Sequence, residues 1–103
     1  MQTYIIMANY TQKGIESIRQ SPERLEASKV AFQAMGADIK AFYLTTGEFD
    51  MIIVVEVPDD ITLAKLVLSI GSRGAVRTKT LRAYTEDEYR QIIDAIPRSV
   101  VDK

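Results

Sequence analysis

The chain has 103 residues and a mass of 11.6 kDa, which suits one compact domain and leaves little room for a second. Its 13 basic and 14 acidic residues give a net charge of −1, which argues against a surface built for nucleic acid or for an anionic membrane. Cysteine and histidine are both absent, which excludes disulfides, thiol nucleophiles, zinc–thiolate centres, Ser-His-Asp triads and histidine-ligated haem.

The first half of the chain predicts a strand, a helix and a second strand. Residues 3–10 are apolar and rich in β-formers, which is typical of a strand. After a weak helical turn, the Ser-Pro-Glu of residues 21–23 has the cap, the proline and the acid of a helix start, and Gly36 ends that helix. Residues 38–46 predict the second strand.

The second half predicts two further strands and two helices. Residues 50–57 form a third strand, and the Pro-Asp-Asp of 58–60 ends it and caps a helix that runs to about Ile70. Residues 75–84 predict a fourth strand. Thr85 and the glutamate three residues later form a capping box, which opens a last helix that Pro97 stops.

This order of elements is β-α-β-β-α-β with an extra C-terminal helix, the ferredoxin-like arrangement of the α+β class. Right-handed crossovers would place the first and third strands in the centre of an antiparallel sheet. We expect a single domain over residues 1–103, with a core over about 2–96 and a tail over 97–103.

The third strand is apolar on both of its faces, whereas a sheet covered on one side should alternate apolar and polar residues. A tight hairpin near Gly47 would place Leu44 opposite Met51 and Tyr43 opposite Ile52. The face away from the helices would then collect Ala41, Tyr43, Ile52, Val54 and Glu56.

In the fourth strand, Leu81 and Ala83 suit the helix side. The face away from the helices, which we call the second face, would then also carry Tyr4, Tyr10, Thr78, Thr80, Arg82 and Tyr84. A second copy of the chain is the simplest cover for this face, because symmetric homodimers dominate among oligomers. The alternative is a monomer in which the C-terminal helix covers it.

Several segments together resemble the GYD family of small proteins. The matching residues are 46–50 (Thr-Gly-Glu-Phe-Asp), 58–60, Tyr10-Thr11, Gly14, 21–24, Gly36, 74–78, Thr80, Arg82, Ala83 and Tyr84, and the resemblance covers about residues 2–96. Phe49 stands where the family usually has tyrosine. The resemblance implies a ferredoxin-like fold of the dimeric α+β barrel kind and brings no assigned activity with it. Fold relatives include cofactor-independent monooxygenases, haem-degrading enzymes and isomerases.

The candidate ligand-binding residues are Tyr4, Tyr43, Asp50, Glu56, Thr80, Arg82 and Tyr84. The tyrosines could hold an aromatic ligand, although tyrosine is also common in ordinary interfaces. Glu56 and Arg82 could orient a polar substrate or form a structural ion pair. Asp50 could serve a ligand, but turn chemistry explains it better, since its carboxylate can bond backbone N–H groups.

We therefore expect a cytoplasmic homodimer or higher homo-oligomer that binds a small molecule between its sheet and the partner subunit. No segment approaches the length of a membrane span, and we expect neither a nucleic-acid nor a membrane partner. We expect no cofactor, and no metal either, because the chain offers only oxygen ligands and methionine sulfur. The alternatives are a cofactor-independent monooxygenase or isomerase acting on an aromatic or ketone-like substrate, and a structural oligomer without ligand.

Overall fold

The computed structural model describes residues 1–97 as one four-stranded antiparallel sheet with helices. The elements are β1 (Gln2–Tyr10), α1 (Gln12–Glu16), a 3₁₀ turn (Ile18–Gln20), α2 (Ser21–Ala34), β2 (Asp38–Leu44), β3 (Met51–Val57), α3 (Asp60–Ser72), β4 (Val76–Ala83) and α4 (Glu86–Asp94). This order confirms the ferredoxin-like prediction. Of the tail expected over 97–103, the part from residue 98 onward lies outside the described residues.

The strands lie in the order β2-β3-β1-β4, so β1 and β3 are central, as predicted. Leu44 pairs with Met51 and Tyr43 with Ile52, which confirms the register expected from a tight hairpin. Farther along β2 the register shifts between Ile39 and Ala41, which leaves Lys40 as the extra residue of a β-bulge.

The core lies between one face of the sheet and helices α2 and α3. Ile6, Val55 and Val57 supply its centre from β1 and β3 and are fully buried. Phe32 of α2 and Leu66 of α3 pack against them from the helices. Because α2 and α3 both lie on this face, the opposite face of the sheet receives neither helix.

The structure contradicts the predicted orientation of β4 and of Tyr4. Arg82 pairs with Tyr4 and Thr80 with Ile6, so these side chains share the helix face. Leu81 pairs with Ile5 and lies on the other face. In the chain, β4 follows β3 through helix α3 and then pairs with β1, so no tight turn fixes its register. The apolar side chain of Leu81 therefore indicated the wrong face as the one that packs on the helices.

The segment around α1 is tied tightly to the start of β4. The backbone N–H of Thr11 donates to the carbonyl of Ala75 at 3.1 Å, and the Thr11 hydroxyl donates to the carbonyl of Gly74. Gly14 is buried against the same loop, and a Cβ atom added there would lie 2.0 Å from the Ala75 oxygen. This close approach gives a structural reason for the glycine.

Candidate functional site

The face of the sheet that points away from α2 and α3 is apolar at its centre, and we call it the open face. Its apolar members are Ile5, Met7, Ala41, Tyr43, Ile52, Val54 and Leu81. Leu81 is 53% exposed and Tyr43 60%, although both are large and apolar in character. Within residues 1–97 no helix packs extensively over this face, α4 included.

The charges of the open face are separated by sign. Asp38 pairs with Glu56 at one end, so two acids lie side by side on β2 and β3. Arg77 and Lys79 lie on β4 toward the other end of β1, opposite Asn9 and Met7. Like charges on neighbouring strands repel each other. The two acids at one end of the open face and the two cations at the other end are therefore each stabilised by opposite charges brought next to them.

The candidate ligand-binding residues do not come together on one face. Tyr43 and Glu56 lie on the open face, whereas Tyr4, Thr80 and Arg82 lie on the helix face. Their joint placement on the second face was therefore wrong, because β4 and Tyr4 have the opposite orientation. A role for each of these residues in ligand binding stays a prediction.

The expected ion pair between Glu56 and Arg82 does not form, since the two side chains lie on opposite faces. Glu56 instead has the ammonium of Lys40 at 3.9 Å. The Arg82 guanidinium lies over the Tyr84 ring, 4.3 Å from its centroid, and over the Tyr4 ring at 5.4 Å. Its Nη1 donates to the carbonyls of Thr3, at 3.1 Å, and Ala83. Arg82 thus ties the end of the sheet together.

Asp50 joins the hairpin to the central strand. Its Oδ2 accepts from the backbone N–H of Tyr10 at 2.9 Å. Its own N–H donates to the Ala8 carbonyl and to Oδ1 of Asn9, both at 3.0 Å. The carboxylate therefore bonds backbone, as turn chemistry suggested, but the backbone belongs to the neighbouring strand rather than to the turn.

Sequence reasoning missed a cavity of about 90 Å³ between α2 and the helix face of the sheet, which we call the α2 cavity. Its apolar wall includes Ile6, Leu25, Phe32, Phe42, Ile53 and Ile70, and Arg24 borders it. Arg24 lies on the inward face of α2, one residue before Leu25 and eight before Phe32. A charged residue on this apolar stripe was the available signal.

Two exposed carboxyl groups have lowered pKa values, and both cap helices. The backbone N–H of Thr85 hydrogen-bonds Glu88 and holds the pKa of that carboxyl below its ordinary value, with a smaller contribution from the charge of Arg82. Hydrogen bonds from Thr62 likewise lower the pKa of Asp59 at the start of α3. Both shifts are explained by helix capping and point to no catalytic acid or base.

Comparisons with known proteins agree with this architecture. The sequence profile of the GYD domain matches residues 4–93. A protein of Thermus thermophilus named glutamine synthetase and cystathionine beta-lyase binding protein is 36% identical over 84 residues, which are 81% of this chain and 88% of that protein.

Two crystal structures share the fold. TTHA0845 from Thermus thermophilus superposes with a TM-score of 0.54 at 24% identity, over 82% of this chain and 95% of that one. FFRP-DM1 superposes with a TM-score of 0.58 at 23% identity, over 82% of this chain and all of that one. Identities this low support the ferredoxin-like fold and nothing about activity.

Proposed function

This chain belongs to the GYD domain family, and from that premise we propose that it is a cytoplasmic binding protein, a homodimer joined through its open face that docks onto another protein. The observation that carries the dimer is the uncovered apolar centre of the sheet. Ile5, Met7, Ile52 and Val54 form a contiguous block there, with no helix of residues 1–97 packed extensively over it. Contiguous apolar patches of this kind mark interaction sites.

The charges of the open face suit a second copy of the same chain. Strands lie about 4.8 Å apart and rise about 3.4 Å per residue. Measured from the centre of the apolar block, between β1 and β3, Glu56 therefore lies roughly 10 Å away along the strand direction, and Lys79 lies roughly 7 Å away across the strands. Sheets that pack face to face can cross at near right angles. Such a crossing about a two-fold axis brings Glu56 over the partner's Lys79 and Asp38 over the partner's Arg77. Each copy then supplies cations to the acids of the other, in addition to the Lys40 that already lies beside Glu56 within one chain.

Two observations support docking onto another protein: the name of a relative, and the exposed apolar side chains of α4. The Thermus protein is named for binding two enzymes, and this chain is similar to it over most of both lengths. Helix α4 carries Tyr89, Ile92 and Ile93 with about half of each side chain exposed. An amphipathic helix with an unburied apolar face is a common means of engaging a groove on another protein.

The dimer is tested by analytical ultracentrifugation of Val54→Glu. We expect the wild type to sediment at about twice the mass of one chain at micromolar concentration, and the variant to sediment as a folded monomer. A carboxylate at position 54 would be buried against the partner sheet without a counter-charge.

Val30→Glu is the matched control, because it makes the same change at a side chain of α2 that is 68% exposed. It should remain a dimer. A monomeric wild type, or a Val54→Glu variant that associates as the wild type does, would refute the proposed interface.

A further inference from the structure

Within residues 1–97, one guanidinium nitrogen of Arg24 has no hydrogen-bond partner. Nη1 of Arg24 donates to the Ser17 carbonyl at 3.0 Å and to the Ser17 hydroxyl at 3.1 Å, which fixes the position of the group. Nη2 is buried, and none of the described residues accepts a hydrogen bond from it. A buried donor left unpaired costs free energy, so such an atom in a native fold needs an explanation.

The surroundings of this nitrogen favour an anion. Arg24 borders the α2 cavity, and Arg73, at the end of α3, also lines it. Of the described side chains that line the cavity, none is acidic. Two arginines thus belong to the cavity lining, and no carboxylate of residues 1–97 belongs to it. A forked guanidinium matches the paired oxygens of a carboxylate.

The rest of the lining is mostly apolar, and the cavity is small. Ile6, Phe32 and Ile53 belong to the apolar part, and the volume is about 90 Å³. Four hydroxyl side chains also line it, those of Tyr10, Ser21, Ser28 and Thr78. An engineered apolar cavity of roughly 150 Å³ holds the six carbons of benzene, so this one has room for about three or four carbons. A propyl chain meets that requirement.

We propose that the α2 cavity is a binding site for short-chain aliphatic carboxylates, with the carboxylate on Nη2 of Arg24 and the chain among the apolar residues between α2 and the sheet. The site lies on the helix face and uses no residue of the open face, so it is independent of the proposed dimer. It also differs from the pocket that the sequence suggested between two sheets.

Butyrate is the probe, with 1-butanol as its uncharged counterpart. In protein carrying ¹³C-labelled isoleucine methyl groups, we expect butyrate to shift the methyl resonances of Ile6, Ile53 and Ile70, which line the cavity, and we expect these shifts to saturate. The resonances of Ile5 and Ile52 on the open face should not shift. 1-Butanol should bind about tenfold more weakly or worse, because a charge-assisted hydrogen bond contributes that much.

Arg24→Met should weaken butyrate binding by about tenfold or more and leave 1-butanol binding unchanged. Arg19→Met, at an exposed arginine of the 3₁₀ turn, is the matched control and should bind as the wild type does. Ser28→Leu should abolish binding of both probes by filling the cavity, and it gives a second check should Arg24→Met fail to fold.

Any of three results would overturn the site. These are no saturable shift up to about 10 mM butyrate, equal affinity for butyrate and 1-butanol, or shifts confined to Ile5 and Ile52. The Val54→Glu variant separates this proposal from the proposed function, because a monomer that still binds butyrate through Ile6 and Ile53 retains the site whatever the fate of the dimer.

Discussion

Gly14 and Ala75 meet at a distance that excludes any side chain. We expect Gly14→Ala to lower the free energy of unfolding by about 1–3 kcal/mol or more, since a methyl group there would press on the Ala75 carbonyl and force the backbone apart. Urea denaturation followed by circular dichroism measures the change.

Gly71→Ala is the control for that experiment. Gly71 lies within α3 with no atom within 4 Å of an added Cβ, so the same substitution should be neutral or stabilise by up to about 1 kcal/mol. Equal effects at the two glycines would contradict the steric explanation.

The capping box of α4 makes that helix sensitive to acid. The Thr85 N–H donates to Oε1 of Glu88 at 2.8 Å, and the Glu88 N–H donates to the Thr85 hydroxyl at 3.2 Å. Because the pKa of Glu88 is lowered on folding, its contribution is complete above the ordinary value of 4.5 and is lost as pH falls through the folded pKa. We expect the protection of amides in the first turn of α4, taken relative to their intrinsic exchange rates at each pH, to fall over that range.

Glu88→Gln provides the comparison. It keeps an acceptor for the Thr85 N–H but cannot titrate, so the protection of amides in the first turn should no longer depend on pH in the acid range. Protection in the wild type that is constant from neutral pH to pH 3 would contradict this account.

At the scale of elements, the strand pairing of the β2–β3 hairpin could be predicted from the sequence, whereas the orientation of the edge strand β4 could not. The tight β2–β3 turn fixes which residues pair, so Tyr43 and Leu44 were placed correctly. β4 follows β3 in the chain through α3 but pairs with β1, so no turn fixes its register. Its alternation of Leu81 and Arg82 was misread because the edge of the helix face tolerates an arginine stacked on tyrosines. The volume of the α2 cavity could not be predicted, since it depends on how α2 packs on the sheet, and Arg24 on the inward face of α2 was the one signal of it in the sequence.

Helix α4 is the element whose surface has least to do with the fold. It makes no extensive contact with any other element of residues 1–97, so Ile93→Asp should change the free energy of unfolding by less than about 0.5 kcal/mol. Under the proposed docking function, which takes its candidate partners from the relative's name, the same variant should lose binding to the glutamine synthetase or the cystathionine β-lyase of the organism from which this chain comes, measured by surface plasmon resonance.

Glu86→Gln is a control on the polar side of α4, where this residue pairs with Arg90 at 2.7 Å, and it should retain binding. Absence of binding by the wild type to both enzymes would refute the docking partner. A dimer that dissociates in Ile93→Asp would instead assign α4 to the contact between subunits.

At the scale of the whole molecule, the charge pattern of the open face predicts a rescue experiment. Glu56→Lys and Lys79→Glu should each weaken the dimer by about tenfold, because each sets like charges against each other across the interface. The double variant should restore most of the affinity, since the pair is exchanged rather than removed. Sedimentation equilibrium measures the dimer dissociation constants of the two single variants and the double variant. Additive weakening in the double variant would exclude the right-angle crossing.

The β-bulge at Lys40 bears on how large an assembly the protein can build. Outer strands of a sheet tend to recruit further strands, and an irregular ladder or exposed cations discourage this. β2 has its bulge and an exposed Lys40, and β4 exposes Arg77 and Lys79. With both edges blunted, stacking through the open face leaves no site for a third copy. The proposed dimer is therefore a closed particle that resists growth into fibres at high concentration.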